Sequence, residues 1–228
     1  MIKKLPKTND SELFNGASGE TESWHAFEIM AEFVSATEKL KEITPAVSIF
    51  GSARTKPDHP YYQLTEEIAR ALSDAGFSVI SGGGPGIMEA ANKGAYDTGS
   101  DSIGLNILLP HEQSLNEYTT ANFQFEHFFG RKVAMTLDAS GYLFFAGGFG
   151  TLDELFEILA LEQTGKIPRA PIILVGSDFW GPIDEVIRNT LLDRFQTING
   201  EDHQLYSIVD DHDEILRRIN AFERESNR

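Results

Sequence analysis

Three glycine-rich stretches in this sequence each follow a short apolar run and lead towards an amphipathic segment: Gly51-Ser52-Ala53-Arg54, Gly82-Gly83-Gly84-Pro85-Gly86 and Gly147-Gly148-Phe149-Gly150-Thr151. Glycine lets a backbone turn sharply and brings N–H groups close to a ligand with no Cβ in the way. A helix starting there adds unpaired N–H groups and about half a positive charge, so such a loop favours phosphate. Any tight strand-to-helix turn also uses glycine, and one loop alone says little. Two on the same sheet edge, converging from different strands, point to an anionic ligand. Pro85 suits the first position of a helix, where no N–H is needed.

Reactive side chains stand next to these loops. Thr151-Leu152-Asp153-Glu154 reads as a capping box, in which Thr151 accepts from the amide of Glu154 and the Glu154 carboxylate reaches back. The same carboxylate also points at whatever the amides of Gly148 to Thr151 hold, so a capping role and a ligand role compete for it. Asp153 reads as a solvated first-turn acid. Arg131 and Lys132 follow the apolar His127-Phe128-Phe129-Gly130. They either snorkel at the surface or present a guanidinium that clamps an oxyanion in two-pronged fashion. In Gly86-Ile87-Met88-Glu89, Glu89 either favours the helix dipole or faces the ligand.

The elements that must position these groups alternate in type. From Pro45 onward, short apolar runs alternate with amphipathic ones, which predicts an α/β fold: a Rossmann-like doubly wound domain with a mainly parallel sheet. Strands are expected at 46–50, 77–81, 102–109, 141–145, 171–175 and 205–209. Helices are expected at 61–74, 87–98, 127–138, 152–164, 179–195 and 213–222. Ahead of the first strand, Trp24, Phe27, Met30, Phe33, Val34 and Leu40 recur at helical spacing, adding an N-terminal helix over 24–43. That helix either packs on its own domain or forms a subunit interface. Residues 1–23 read as a flexible arm and 24–228 as one nucleotide-binding domain.

Thirty-five acidic residues against 19 basic ones give a net charge of −16, and cysteine is absent. A chain so acidic, without a long basic run, is a poor partner for nucleic acid. Backbone amides can nevertheless hold a phosphate without a basic cluster. The missing cysteine excludes disulfides, thiolate metal sites and a cysteine nucleophile. No apolar run spans a bilayer and no signal-peptide core follows the basic start, so the expected location is cytoplasmic. The six histidines form no H-E-x-x-H pair, and no metal or organic cofactor is expected. The dinucleotide fingerprint read from Gly82 would need glycine where Ile87 stands. Gly165-Lys166 lacks the rest of a P-loop, and no G-x-S-x-G elbow occurs.

Together, Gly82-Gly83-Gly84-Pro85-Gly86-Ile87-Met88-Glu89-Ala90-Ala91-Asn92, Arg131-Lys132 and Gly147-Gly148-Phe149-Gly150-Thr151-Leu152-Asp153-Glu154 resemble the LONELY GUY (LOG) family, long labelled "possible lysine decarboxylase". The resemblance runs from about Val47 to Gly181. It implies a Rossmann-like fold and hydrolysis of the N-glycosidic bond of a nucleoside 5′-monophosphate, either a cytokinin riboside 5′-monophosphate or AMP, releasing free base and ribose 5-phosphate. The family's catalytic pair falls on Arg131 and Glu154. The substrate is then expected on the first loop (Gly51, Ser52, Arg54), the second loop and its helix (Gly83, Gly84, Gly86, Met88, Glu89), Lys132, and the third loop (Gly147, Gly148, Gly150, Thr151). The motif's usual proline is Ala146 here, and Phe128-Phe129-Gly130 replaces the plant-type residues. These departures, with the N-terminal helix, resemble the longer bacterial branch, whose members often form assemblies larger than dimers, so a homo-oligomer, dimer or larger, is expected. The rival reading is a nucleotide or molybdenum-cofactor carrier on the same scaffold. Amino-acid decarboxylation would need a lysine-bound pyridoxal site, for which the sequence shows no local pattern.

Overall fold

Seven parallel strands form one sheet in the order β4-β3-β2-β1-β5-β6-β7 in a computed structural model that describes residues 19–108, 115–136 and 139–226. The strands are β1 (Ala46–Phe50), β2 (Ser78–Ser81), β3 (Ser102–Ile107), β4 (Ala121–Phe125), β5 (Ala139–Phe144), β6 (Ile172–Val175) and β7 (Tyr206–Val209). Every residue of β1, β3 and β6 is buried. Strands buried along their whole length in this way require helices on both faces of the sheet.

The helices are α1 (Gly19–Leu40), α2 (Pro60–Asp74), α3 (Ile87–Tyr96), α4 (Phe128–Thr136), α5 (Phe149–Gln163), α6 (Ser177–Val186) and α7 (His212–Ser226). On one face, Ile68 and Leu72 of α2, Ile87 and Ala91 of α3, and Ile215 and Ile219 of α7 pack on Val47, Ile49 and Val79. On the other, Leu40 of α1, Met135 of α4, Leu155 and Ile158 of α5, and Trp180 of α6 pack on Phe50, Leu105 and Phe144. The indole N–H of Trp180 donates to the Phe144 carbonyl at 2.9 Å, which satisfies the polar edge of a fully buried ring. The predicted doubly wound architecture and the added N-terminal helix are both present.

Some boundaries differ from expectation. The edge strand β4 has no counterpart among the expected strands, because Ala-Asn-Phe-Gln-Phe is short and polar at alternate positions, as an edge strand with one wet face is. The helix over 179–195 instead starts at Ser177, passes Pro182 and continues as a π-helix over Ile187–Arg194. Most of the expected arm lies outside the described residues, while residues 19–23 extend α1. No described helix is long and apolar enough to cross a membrane.

The chain order fixes where a ligand can enter. From β1 the chain steps outward through β2, β3 and β4, then α4 carries it back to β5 on the other side of β1. The loops after β1 and β5 therefore diverge to opposite faces and leave a crevice at their carboxyl ends, the switch point of a doubly wound sheet.

Candidate functional site

That crevice opens into a cleft of about 1200 Å³. One wall is the stretch from Gly51 to Thr55 after β1, and the other is Ala146 to Leu152 after β5. The Ser52 N–H donates to the Ala146 carbonyl at 3.0 Å and ties the two loops together. The Arg54 N–H donates to Ser52 Oγ at 3.1 Å, which tightens the turn and sets the path of the loop into the cleft.

Helix α5 starts at Phe149, with Gly148 as its capping residue and no side chain capping it. The capping box over 151–154 is therefore not formed. Gly147 and Gly148 complete the turn early, and Thr151 falls inside the first turn, where it is buried against Gly147. The amides of Phe149, Gly150 and Thr151 have no acceptor within the helix, and all three residues line the cleft. A Cβ at Gly148 or Gly150 would meet nothing within 4 Å, so the cradle is open on its ligand side.

Glu154 follows Gly150 by four residues and Thr151 by three, which puts its carboxylate on the helix face that carries those amides. It is released from capping and instead meets Arg131. Arg131 Nη1 donates to Glu154 Oε1 at 2.9 Å, and Arg131 Nε donates to the Leu105 carbonyl of β3 at 2.8 Å. The two side chains are 10% and 16% exposed, so the pair lies at the cleft wall largely shielded from water. Burial pushes the Glu154 carboxyl above its usual range, and the charge and hydrogen bond of Arg131 pull against that.

The second glycine stretch does something else. Gly83, Gly84 and Gly86 are buried, and none of them lines the cleft. Asn116 holds the loop, donating from its backbone N–H to the Gly83 carbonyl at 2.9 Å and from Nδ2 to the Gly84 carbonyl at 3.0 Å. Ser81 Oγ accepts from the Gly83 N–H and donates to Asn92 Oδ1 at 2.6 Å. Gly86 has φ +72°, and a Cβ there would overlap the Ser52 carbonyl that accepts from the Ile87 N–H. This stretch thus braces the β1 loop from behind, and of the three glycine stretches the first and the third line the cleft.

Of the other expected residues, Gly51, Ser52, Arg54, Met88, Gly147, Gly148, Gly150 and Thr151 line the cleft with Arg131 and Glu154. Glu89 and Lys132 do not. Glu89 accepts from the Tyr62 hydroxyl at 2.7 Å, and Lys132 pairs with Asp153 at 2.8 Å and Glu157 at 3.1 Å along the outer side of α5. Lys132 follows Arg131 by one residue and so leaves the helix about 100° away, which no position in the cleft allows.

The cleft continues into a part that the sequence did not announce, formed by Thr55, His59, Tyr61, Asp178 and Phe179. His59 caps the start of α2 and Asp178 lies in the first turn of α6. His59 Nδ1 accepts from the Tyr61 N–H at 3.1 Å, which places the proton of the neutral ring on Nε2. The Tyr61 hydroxyl donates to Asp178, and burial together with that carboxylate pushes the phenol above its usual range. Met88, Ile107 and Phe128 make an apolar flank beside Arg131, and Phe149 stands at the lip, 93% exposed. Among the described residues, no three His, Asp or Glu side chains gather as a metal-binding group.

Comparison with known proteins bears on this cleft. The profile of a family described as "Possible lysine decarboxylase" matches residues 88–219, which include Arg131 and the whole β5 loop through Glu154. The cytokinin riboside 5′-monophosphate phosphoribohydrolase LOG of Oryza sativa subsp. japonica is 30% identical over 129 residues, covering 54% of this chain and 51% of that protein. The chain thus spans about half the length of that relative. The cytokinin riboside 5′-monophosphate phosphoribohydrolase of Rhodococcoides fascians is 23% identical over 158 residues, covering 67% of this chain and 78% of its own. Among solved structures, the molybdenum cofactor binding protein of Rippkaea orientalis superposes with a TM-score of 0.58 at 18% identity, covering 78% of this chain and 96% of that one. At that identity the likeness is one of fold.

Proposed function

The chain belongs to the family described as possible lysine decarboxylases, the LOG family, and from that premise and the cleft we propose that it hydrolyses the N-glycosidic bond of a nucleoside 5′-monophosphate. The observation that carries the reading is the Glu154 carboxylate, held by Arg131 in a cleft one wall of which is the amide-bearing start of α5. The 5′-phosphate sits on the amides of Phe149, Gly150 and Thr151, where the helix terminus offers donors and positive potential without a basic cluster. That anchor puts the ribose beside Glu154, about one helical turn further on. The apolar flank of Met88, Ile107 and Phe128 receives the base.

Breaking the C1′–N bond leaves positive charge on the sugar, and an ionised carboxylate nearby stabilises it. Glu154 has that charge and takes the proton of the water that attacks C1′, while the base departs with the C1′–N electron pair and picks up a proton from solvent to become the free base. Arg131 is then a positioning residue, since its donors go to Leu105 and Glu154. Neither step calls on a metal or an organic cofactor. The substrate is AMP or a cytokinin riboside 5′-monophosphate. Incubating the protein with AMP and with isopentenyl-AMP and separating the products by chromatography is expected to show free base and ribose 5-phosphate in equal amounts. Tight nucleotide binding by calorimetry with no base released would instead favour a carrier.

The same reading includes a homo-oligomer. Helix α1 shows Trp24, Phe27 and Met30 to solvent at 68%, 61% and 60%, and Phe129 of α4, stacked on Phe33, extends this apolar surface. Large exposed apolar surfaces mark association sites, and a second copy is the proposed cover. Mass measurement in solution is expected to give a multiple of 25.3 kDa. The double change Trp24→Glu with Phe27→Glu is expected to release the monomer, and an unchanged mass would sink the assignment of this face.

A further inference from the structure

Gly82, the first residue after β2, is buried and absent from the expected site, yet it touches the site's ion pair. A Cβ built there would lie 2.6 Å from Arg131 Nη2 and 2.5 Å from Met88 Sδ. Its backbone does not require glycine, because Gly83 and Gly86 have positive φ in this loop and Gly82 does not. What position 82 needs is space. The atoms in the way are the ends of two flexible side chains, so a methyl group there displaces the guanidinium and the thioether and leaves the strands where they are.

Each nitrogen of Arg131 is thereby accounted for. Nε reaches back to Leu105 of β3, Nη1 holds Glu154, and Nη2 lies over the bare α-carbon of Gly82. We infer that Gly82 is a positioning residue: its missing side chain leaves the room in which Arg131 passes the end of β2 and fixes the Glu154 carboxylate at the cleft wall. The consequence for turnover rests on the proposed reaction, whereas the consequence for the carboxylate does not. The charged groups acting on Glu154 are Arg131 and Lys132 from α4 and Asp153 from its own helix. A methyl at position 82 reaches only the first of these.

The test is Gly82→Ala, read in two ways. The carboxyl carbon of Glu154, identified by its loss in Glu154→Gln, is titrated by carbon-13 NMR. Loss of the guanidinium is expected to raise its midpoint by about one pH unit, and Arg131→Gln should give the same shift with Gly82 intact. With AMP, kcat is expected to fall about a hundredfold while KM changes by less than about threefold, as for a misplaced catalytic group. Should the single variant fail to fold by circular dichroism, Gly82→Ala combined with Met88→Ala removes the sulfur overlap and carries the same titration. An unshifted midpoint in the folded protein overturns the inference whatever kcat does. If the parent protein cleaves no monophosphate, the proposed function falls while the titration still decides the role of Gly82.

Discussion

Glu154→Gln is expected to lower release of adenine from AMP by about 10²- to 10⁴-fold and to leave KM within a few-fold. The amide keeps the carbonyl oxygen that accepts from Arg131 Nη1, so the α4–α5 contact survives and the fold is undisturbed. What goes is the negative charge beside the sugar. That charge matters only as C1′ becomes positive, and an interaction of this kind lowers the barrier rather than the affinity. The pH profile follows from the same group. Burial raises the Glu154 carboxyl, so the protonated, inactive form persists to higher pH than for an ordinary glutamate. Activity should therefore fall on the acid side with a midpoint above the usual carboxylate range, and the residual rate of Glu154→Gln should lack that limb. A variant that keeps the parent rate, or keeps the limb, would show that another group carries the chemistry.

The sequence disclosed the site unevenly, for a physical reason. All three glycine stretches look alike in sequence, but whether their amides face a ligand depends on which strands become neighbours. β1 and β5 are separated by more than eighty residues and pair directly, whereas the loop after β2 ends up behind the first one. Periodicity finds strands without ordering them, so the loop at 82–86 could not be distinguished from that at 147–151. Arg131 and Glu154 each stand out in sequence by residue type and place, but their pairing, which joins two helices across 23 positions, is implied only by the resemblance. His59, Tyr61 and Asp178 carried ordinary helix-end roles that hid their place in the cleft. The helix starts at Phe149 rather than at the expected Leu152 because Gly148 takes the capping position, which leaves Glu154 past the place of a capping box and free to meet Arg131. In contrast, the central strands and the core faces of α2 and α3 were plain, since strands buried on both faces carry apolar residues at odd and even positions alike.

Glu162→Gln is expected to stabilise the protein by about 3 kcal/mol at pH 8 and by only about 1 kcal/mol at pH 5. Glu162 lies in the last turn of α5, only 3% exposed, and accepts from the Ala170 N–H at 3.0 Å through Oε1. Burial pushes its carboxyl up to about 7, against the pull of that N–H and of Arg169. In the unfolded chain it titrates at about 4.3. Between those values the folded state binds the proton more tightly, so stability falls as pH rises from about 4.3 to about 7 and stays low above it. Glutamine keeps the acceptor for Ala170 and never ionises, so it removes this loss. Glu66, Asp184 and Asp210 are shifted the other way, with carboxyls below their ordinary values, and their contribution is lost only as pH falls through the acid range. Comparing the two proteins at pH 5 and pH 8 keeps clear of that window. At about 2–4 °C per kcal/mol for a chain of this size, the melting temperatures should separate by roughly 6–12 °C at pH 8 and by only about 2–4 °C at pH 5. An equal gap at both pH values would mean that packing rather than ionisation sets the cost of this carboxylate.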